Sequence, residues 1–584
     1  MPAVLQQWTE VQEENRRIKQ LQDEVAEITG MEVMDVTYRK LIEFLADQEI
    51  QHISQMDYTL RRKYELYMSR VVKPNVLFRY IKVFDNVKQK YIQDRMKTLT
   101  GRQECQWKYK NEILFIPYHS DQKIVQSVEN VKNRSNMVWN FQINHSEKMK
   151  RQIFAILEFI LENYEPSRIR AYKLTGLQLF YEYCIIKQIE DINYLEREQE
   201  EKFLDFLEQK IEKEQRRKCL QTIVGLARKV VFLQTKEIQW DATVWYLERF
   251  HIPKERINSS DLIEKISFRE VMKPVNRRLF QEYMRYEIGI GESAISTVYE
   301  KFRIIRKFLE EISDEQKDVT ACDAKRLDRY LKKLQEDENE AKTYNTQVAS
   351  IQYFFKFLEV KGYITRVPFD ASYYLQKQTP THHDRSVEEG VYMEIIQKLS
   401  CFPENLRMMF LHLWCIGLRI SEVCTLKGDA YYFQNNDCWM KIYQVKMKNY
   451  KRVPIPAALY NLMQIYLDKY EIGKEDYIFQ NKKGGAFSKS TFMNQMKKYC
   501  AICEIQNGEY LFKSHDYRHT VATNFYEHGV SLQGIRDYLG HNYEEMTMQY
   551  IDYMPRKIAK RNDEYFIDDG NSLLSCMRKG EANV

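Results

Sequence analysis

Six side chains in the C-terminal half of the chain have the types and the order to work on a phosphodiester: Arg419, Lys446, His515, Arg518, His541 and Tyr550. Five of them lie in GLRISEV (417–423), HDYRHTVAT (515–523) and LGHNYEEMTMQY (539–550); the lysine lies in QVKMKNYKRVPIP (444–456). Phosphoryl transfer needs an in-line nucleophile, charge on the non-bridging oxygens and a proton for the leaving oxygen. A guanidinium suits the second task, because its planar fork grips two oxygens and stays charged at any working pH. A tyrosine ionises near pH 10 when free, so it attacks only where a base or nearby cations help. Tyr553, three residues on, is a rival nucleophile. Each piece alone is weak. An Arg after a glycine is common, an HxxR pair is usually a surface partner, and Tyr550 is one tyrosine of 41.

Local elements must hold these groups. On a helix His515 and Arg518 share a face, and Ser514 is placed to cap its N-terminus, where an anion is welcome. Gly529 ends that helix, Ser531 caps a second one closing at Leu539-Gly540, and His541 follows directly. A helix-turn-helix reader over 520–539 is the alternative, set aside because the segment serves as scaffold between His515 and His541. Arg419 follows a helix stopped at Ile416-Gly417, with Ser421 and Glu422 in reach to orient its guanidinium. Strands are predicted near 437–446 and 450–455 around the turn MKNY, with Pro454 and Pro456 closing the hairpin. Helices are predicted at about 388–400, 403–416 and 458–468.

Taken together, the three strings resemble the boxes of the tyrosine recombinase (phage integrase) family, over about residues 385–560. The resemblance implies that Arg419 and Arg518 clamp the scissile phosphate while Tyr550 attacks it, forming a 3′-phosphotyrosyl link and freeing a 5′-hydroxyl. It gives His515 a part in proton transfer and His541 a hydrogen bond to a non-bridging oxygen. The family's hairpin lysine protonates the leaving oxygen; counting back from Pro454 favours Lys446, Lys448 stays open, and the usual flanking glycines are missing. The implied fold is mainly α with a small β-hairpin or sheet, in which SAM-like helical core-binding modules precede an α+β catalytic domain. Residues 285–376 resemble that core-binding domain, with Arg303, Arg306, Lys307, Thr343, Tyr344, Asn345 and Gln347, and Lys448 of the hairpin, as expected DNA contacts. The implied reaction needs no metal, ATP or other cofactor. The implied partners are double-stranded DNA at specific sites, three further protomers in a tetramer on two sites, and accessory DNA-bending proteins. The tail 563–577 is expected to dock on a neighbour. Integration or excision of a mobile element in a bacterial cytosol is the leading reading. A type IB topoisomerase and a catalytically silent DNA-binding regulator are the alternatives.

The remaining sequence supplies the setting. A chain of 584 residues exceeds one core and calls for several domains. With 44% hydrophobic and 29% charged residues and a mean hydropathy of −0.59, it reads as globular, without a run of about 18 apolar residues for a membrane span. MPAVLQQWTEVQEENRR lacks an apolar signal core, so a cytosolic start is expected. A net charge of +6 permits nucleic-acid binding through local basic surfaces only. The eleven cysteines are scattered, as in a reducing compartment, and Cys500–Cys503 is read as packing on a short helix. Low Gly and Pro favour helices. The helical stripes Leu174, Leu177, Phe180, Tyr181 and Leu220, Ile223, Leu226, Val230 recur 128 residues later, at Phe302, Ile305, Phe308, Leu309 and Val348, Ile351, Phe354, Leu358. The expected domains are a mostly helical 1–155, a helical module at 160–250 copied at 285–376, the catalytic domain 385–562 and a tail 563–584. A polar linker at 377–390 carries His382 and His383 in a solvated loop.

Overall fold

The computed structural model describes residues 2–30, 35–129, 135–312, 317–336, 340–378 and 385–551. Tyr553, His382, His383 and the tail 563–577 lie outside these. The fold is multidomain and mostly helical with small sheets, in two compact units: Met1–Arg249 with Ser267–Glu270, and Phe250–Ile266 with Val271–Val584.

The first unit opens with helices α1 (Pro2–Thr29), α2 (Val36–Asp47), α3 (Tyr58–Val71) and α4 (Pro74–Arg95), packed around Leu41, Leu45, Ile53, Tyr64 and Phe84. Two short helices, α5 (Leu99–Cys105) and α6 (Gln122–Val128), follow. A short strand, β1 (Ile113–Phe115), pairs antiparallel with β2 (Val138–Asn140), Leu114 lying opposite Trp139. Four helices complete the unit: α7 (Glu147–Asn163), α8 (Arg168–Ile186), α9 (Arg197–Lys210) and α10 (Glu214–Gln234). α7 runs through the boundary expected between 155 and 160. Its Ile153, Ile156 and Ile160 share one core with Phe115, Trp139, Leu177 and Ile223.

The second unit repeats that helical order. α11 (Pro274–Gly289), α12 (Ile295–Glu311), α13 (Ala324–Glu336) and α14 (Ala341–Val360) each begin 127 residues after α7, α8, α9 and α10. The short turns capped by Asp191 and Asp318 keep the same separation. Buried side chains follow: Leu174 and Phe302, Leu177 and Ile305, Leu220 and Val348 pair at the 128 read from the sequence, while Ile153 and Phe280, Leu157 and Met284, Leu161 and Ile288 pair at 127.

The C-terminal part comprises α15 (Glu389–Gln397), α16 (Glu404–Ile416), α17 (Ile420–Cys424), α18 (Ala457–Lys469), α19 (Lys489–Ile502), α20 (Ser514–Glu527), α21 (Leu532–Leu539) and α22 (Glu544–Met548). The first unit's end and the second unit's start carry short strands β3 (Val244–Tyr246) and β4 (Lys265–Ser267). The predicted hairpin is β6 (Asp437–Gln444) and β7 (Asn449–Pro454), to which a third, unpredicted strand, β5 (Tyr431–Gln434), adds on β6. In this antiparallel sheet Met440 faces Tyr431 on one side and Val453 on the other. Cys500 packs in this core, where burial pushes its thiol up to about 12. No described helix is long and apolar enough to cross a membrane.

Candidate active site

Two glycine helix stops and one helix start bring the site together. α16 ends in a left-handed Gly417 (φ 69°), where a Cβ would come within 3.1 Å of Val521 on α20. The turn therefore delivers Arg419 against the helix that carries Arg518. α21 is capped by Ser531, whose hydroxyl accepts from the Gly534 N–H, and ends in a left-handed Gly540 (φ 70°). A Cβ at Gly540 would lie 2.3 Å from the Gln444 carboxamide and would sit on a left-handed backbone, so the turn that leads to His541 favours glycine. α20 begins at Ser514 itself. Lys513 holds the cap position and no side chain caps the helix, contrary to the expectation for Ser514.

Arg518 is fully buried, at 0% exposure. Its Nη1 donates to the Gly417 carbonyl at 2.9 Å; Nη2 donates to the Leu539 carbonyl at 2.6 Å and to His541 Nε2 at 2.9 Å. Its Nε has no partner. A guanidinium can only donate, so His541 accepts at Nε2 and gives its Nδ1 proton to Thr547 Oγ1, 3.0 Å away. Both ring nitrogens are engaged. The hydrogen bond from His541 to a phosphate oxygen that the resemblance implies therefore requires exchange of the Arg518 contact.

Glu422 is the counterion, 1% exposed. It accepts from the Arg419 backbone N–H at 3.1 Å and from Arg419 Nη1 at 2.9 Å, which is the orienting contact foreseen for it. Lys451 Nζ approaches Oε2, the oxygen that takes the Arg419 N–H, at 3.7 Å. Burial pushes the Glu422 carboxyl up, but Lys451, Arg518 and Arg419 outweigh it and hold the group below the usual carboxylate range. Burial and the neighbouring Arg419 lower Arg518 to about 10. Three cations around one carboxylate leave two positive charges in excess.

Tyr550 covers this cluster. Its ring centroid lies 4.5 Å from that of His519, 4.6 Å from His541 and 5.1 Å from His515, and Arg518 Cζ is 5.5 Å away. Desolvation, then Arg518 and Arg419, bring His541 down to about 3; desolvation, then His519 and the arginines, bring His515 down to about 4. Both imidazoles are neutral at pH 7.

Five of the six candidates thus converge, and Lys446 does not. It sits exposed in the 445–448 turn, while the lysine that enters the site is Lys451. Sequence reasoning missed Lys451, His519 and Gln444. Two signals existed: Lys451 and Val453 in β7, and Ile455 just after it, alternate with polar or exposed residues, and His519 stands one helical turn after His515. In α12 and α14, Arg303, Lys307 and Thr343 are exposed, and Arg306 pairs with Glu310 at 3.2 Å. Tyr344 is a correction: at 1% exposure, with Gln335 donating to its hydroxyl, it is a core residue and cannot meet DNA. Asn345 exchanges hydrogen bonds with the Gln376 backbone, and Gln347 is half-buried. Lys448, at φ 53°, reaches the Glu292 carbonyl at 3.5 Å.

Residues 387–556 match the Phage integrase family, and residues 278–362 match the Phage integrase, N-terminal SAM-like domain. Transposase B from transposon Tn554 of Staphylococcus aureus (strain Mu50 / ATCC 700699) is 26% identical over 348 residues, covering 57% of this chain and 55% of that one. Tyrosine recombinase XerA of Thermococcus onnurineus (strain NA1) is 26% identical over 248 residues, covering 41% of this chain and 82% of the relative. The chain thus spans about half the length of the transposase it matches.

Proposed function

We propose, from a chain whose residues 278–362 and 387–556 match models of the phage integrase family, that this protein is a tyrosine recombinase that cuts and rejoins DNA at specific sites through a 3′-phosphotyrosyl intermediate. The observation that carries the reading is the excess of positive charge beneath a tyrosine: Arg419, Arg518 and Lys451 surround Glu422, and Tyr550 lies over Arg518. A phosphodiester brings one negative charge and its pentavalent transition state two, which matches that excess.

In this mechanism the guanidiniums of Arg419 and Arg518 take the two non-bridging oxygens. The unpartnered Nε of Arg518 is a donor with no competing acceptor. Tyr550 Oη attacks phosphorus, the P–O5′ bond breaks, and the phenol proton passes to a neutral imidazole, His515 being the one with an exposed edge. The leaving 5′-oxygen takes its proton from Lys446 once the hairpin turn closes on DNA. Attack by a 5′-hydroxyl on the phosphotyrosine reverses the steps and rejoins the strand. The bond energy is kept in the ester, so the reaction runs without ATP or metal.

The module at 285–376 clamps duplex DNA through Arg303, Lys307 and Thr343, and the module with the same helical order at 147–246 is an extra copy of it. Similarity to a Tn554 transposase supports a mobile-element role in a bacterial cytosol. Exchange of four strands requires four protomers. A cavity of about 550 Å³ lined by Tyr392, Trp414, Leu459, Leu462 and Phe525 is an apolar seat for a neighbour's 563–577 tail.

The test is a set of nicked suicide duplexes, 5′-labelled on the cut strand and tiled across the DNA flanking the gene, incubated in EDTA without ATP. A labelled covalent adduct is expected from the natural chain and none from Tyr550→Phe. An adduct that persists in Tyr550→Phe makes Tyr553 the nucleophile. No adduct despite duplex binding leaves a silent binder, and relaxation of supercoiled plasmid without exchange leaves a topoisomerase.

A further inference from the structure

β7 is exposed at Tyr450 and Arg452 and buried at Lys451 and Val453, so one lysine of the basic hairpin points into the protein. Burying an ammonium is costly unless several acceptors meet it. Lys451 Nζ meets three: Glu422 Oε2 at 3.7 Å, the Leu539 carbonyl at 3.3 Å and the Tyr538 carbonyl at 3.5 Å. Two of these are shared with the arginines. Glu422 also holds Arg419, and the Leu539 carbonyl also accepts from Arg518. Gln444 on β6 spans the same two elements, its Nε2 lying 3.4 Å from both Glu422 Oε1 and the Gly540 carbonyl.

We propose that Lys451 is a positioning residue for strand cleavage: its ammonium fastens Glu422 to the C-terminal end of α21, and so sets Arg419, Arg518 and His541 in register on one phosphate. The role rests on the recombinase reading above and goes beyond it, since Lys451 acts through Glu422 and a carbonyl and not on the leaving oxygen. The charged and titratable groups facing it are Glu422 from α17, Arg419 before that helix, Arg518 from α20 and His541 after α21. Burial, with Arg518 and Arg419 adding to it and Glu422 opposing, brings its ammonium down to about 8. The tie is therefore intact below about pH 8 and released above it.

The experiment measures adduct formation by the full chain on a nicked duplex that the natural protein cleaves, with either an ordinary 5′-oxygen or a 5′-bridging sulfur at the scissile bond. Sulfur leaves without a proton, because thiols ionise some seven units below alcohols. Lys451→Met is expected to form adduct on the order of 10²-fold more slowly at saturating duplex, the cost of a misplaced clamp, and by the same factor with both leaving groups. Lys451→Arg, which keeps the charge and donors, is expected to recover most of the rate. The natural rate should fall as pH rises through about 8, whereas that of Lys451→Arg should not. Lys446→Ala is the contrast, its defect being the one that sulfur relieves. The proposal is overturned if Lys451→Met cleaves at the natural rate, if sulfur restores it, or if Lys451→Arg is no better than Lys451→Met. If the natural protein forms no adduct on any duplex, the recombinase reading fails first and takes this role with it.

Discussion

Asp85 in the first unit and Glu422 in the second are both buried carboxylates, and their surroundings differ in sign. Asp85 accepts two parallel bonds from Arg61, at 2.7 and 3.0 Å, and a third from the Tyr118 hydroxyl at 2.8 Å. Arg61 also approaches Glu65 at 3.6 Å and lies against the Phe115 ring, so its charge is answered. Around Glu422 three cations share one carboxylate, one guanidinium nitrogen lacks any acceptor, and Arg518 is held below its ordinary pKa. A balanced pair fixes a fold. An unbalanced cluster holds unfavourable charge that an anion relieves, which makes it a candidate anion site.

Substitutions separate the two cases. The largest effect is expected for Arg518→Met: adduct formation should fall on the order of 10³-fold or more. The melting temperature of the second unit should barely move, because lost bonds to Gly417 and Leu539 are offset by relief of repulsion with Arg419 and Lys451. A strong loss of stability with little loss of cleavage would erase the contrast. The reverse pattern is expected for Arg61→Met. Leaving the buried Asp85 without its Arg61 counter-charge should cost the first unit about 3–5 kcal/mol in urea unfolding, with adduct formation on a bound duplex intact.

The smallest effect is a pH dependence. Unfolding returns His515 and His541 from about 4 and about 3 to near 6.5, so below pH 6.5 the unfolded chain binds protons first. Stability is then full above about pH 6.5 and declines as the pH falls towards 4. Urea midpoints of the second unit at pH 7 and pH 5 should show this slope, to which buried His412, also lowered to about 4, adds, and His541→Gln should reduce it without abolishing it. Cleavage rates should show no step at pH 6.5, since both imidazoles stay neutral through that range.

Five of the six candidate side chains converge, and their placement could be read locally because each sits near a helix end: Arg419 after Gly417, His515 and Arg518 at the start of α20, His541 after Gly540, Tyr550 after α22. Glycine stops and helical spacing are local, and local rules are written in the chain. The repeated helical order was legible for the same reason, through apolar stripes 128 residues apart. β5 was missed because it is paired only through β6, and a four-residue strand has little pattern of its own. Tyr344 was misplaced because a tyrosine in the polar start of a helix gives no sign of which way its face turns.

By itself, then, the sequence determined the chemical kit, its order and the helices that carry it, since propensity, capping and periodicity act over a few residues. Tertiary structure decided which lysine enters the site, which imidazole contacts Arg518, and that Glu422 is outnumbered by cations. These depend on groups as far apart as Glu422, Lys451 and Leu539 meeting within about 4 Å. Electrostatic coupling of that kind follows distance in space and desolvation, neither of which is encoded at any single position of the chain.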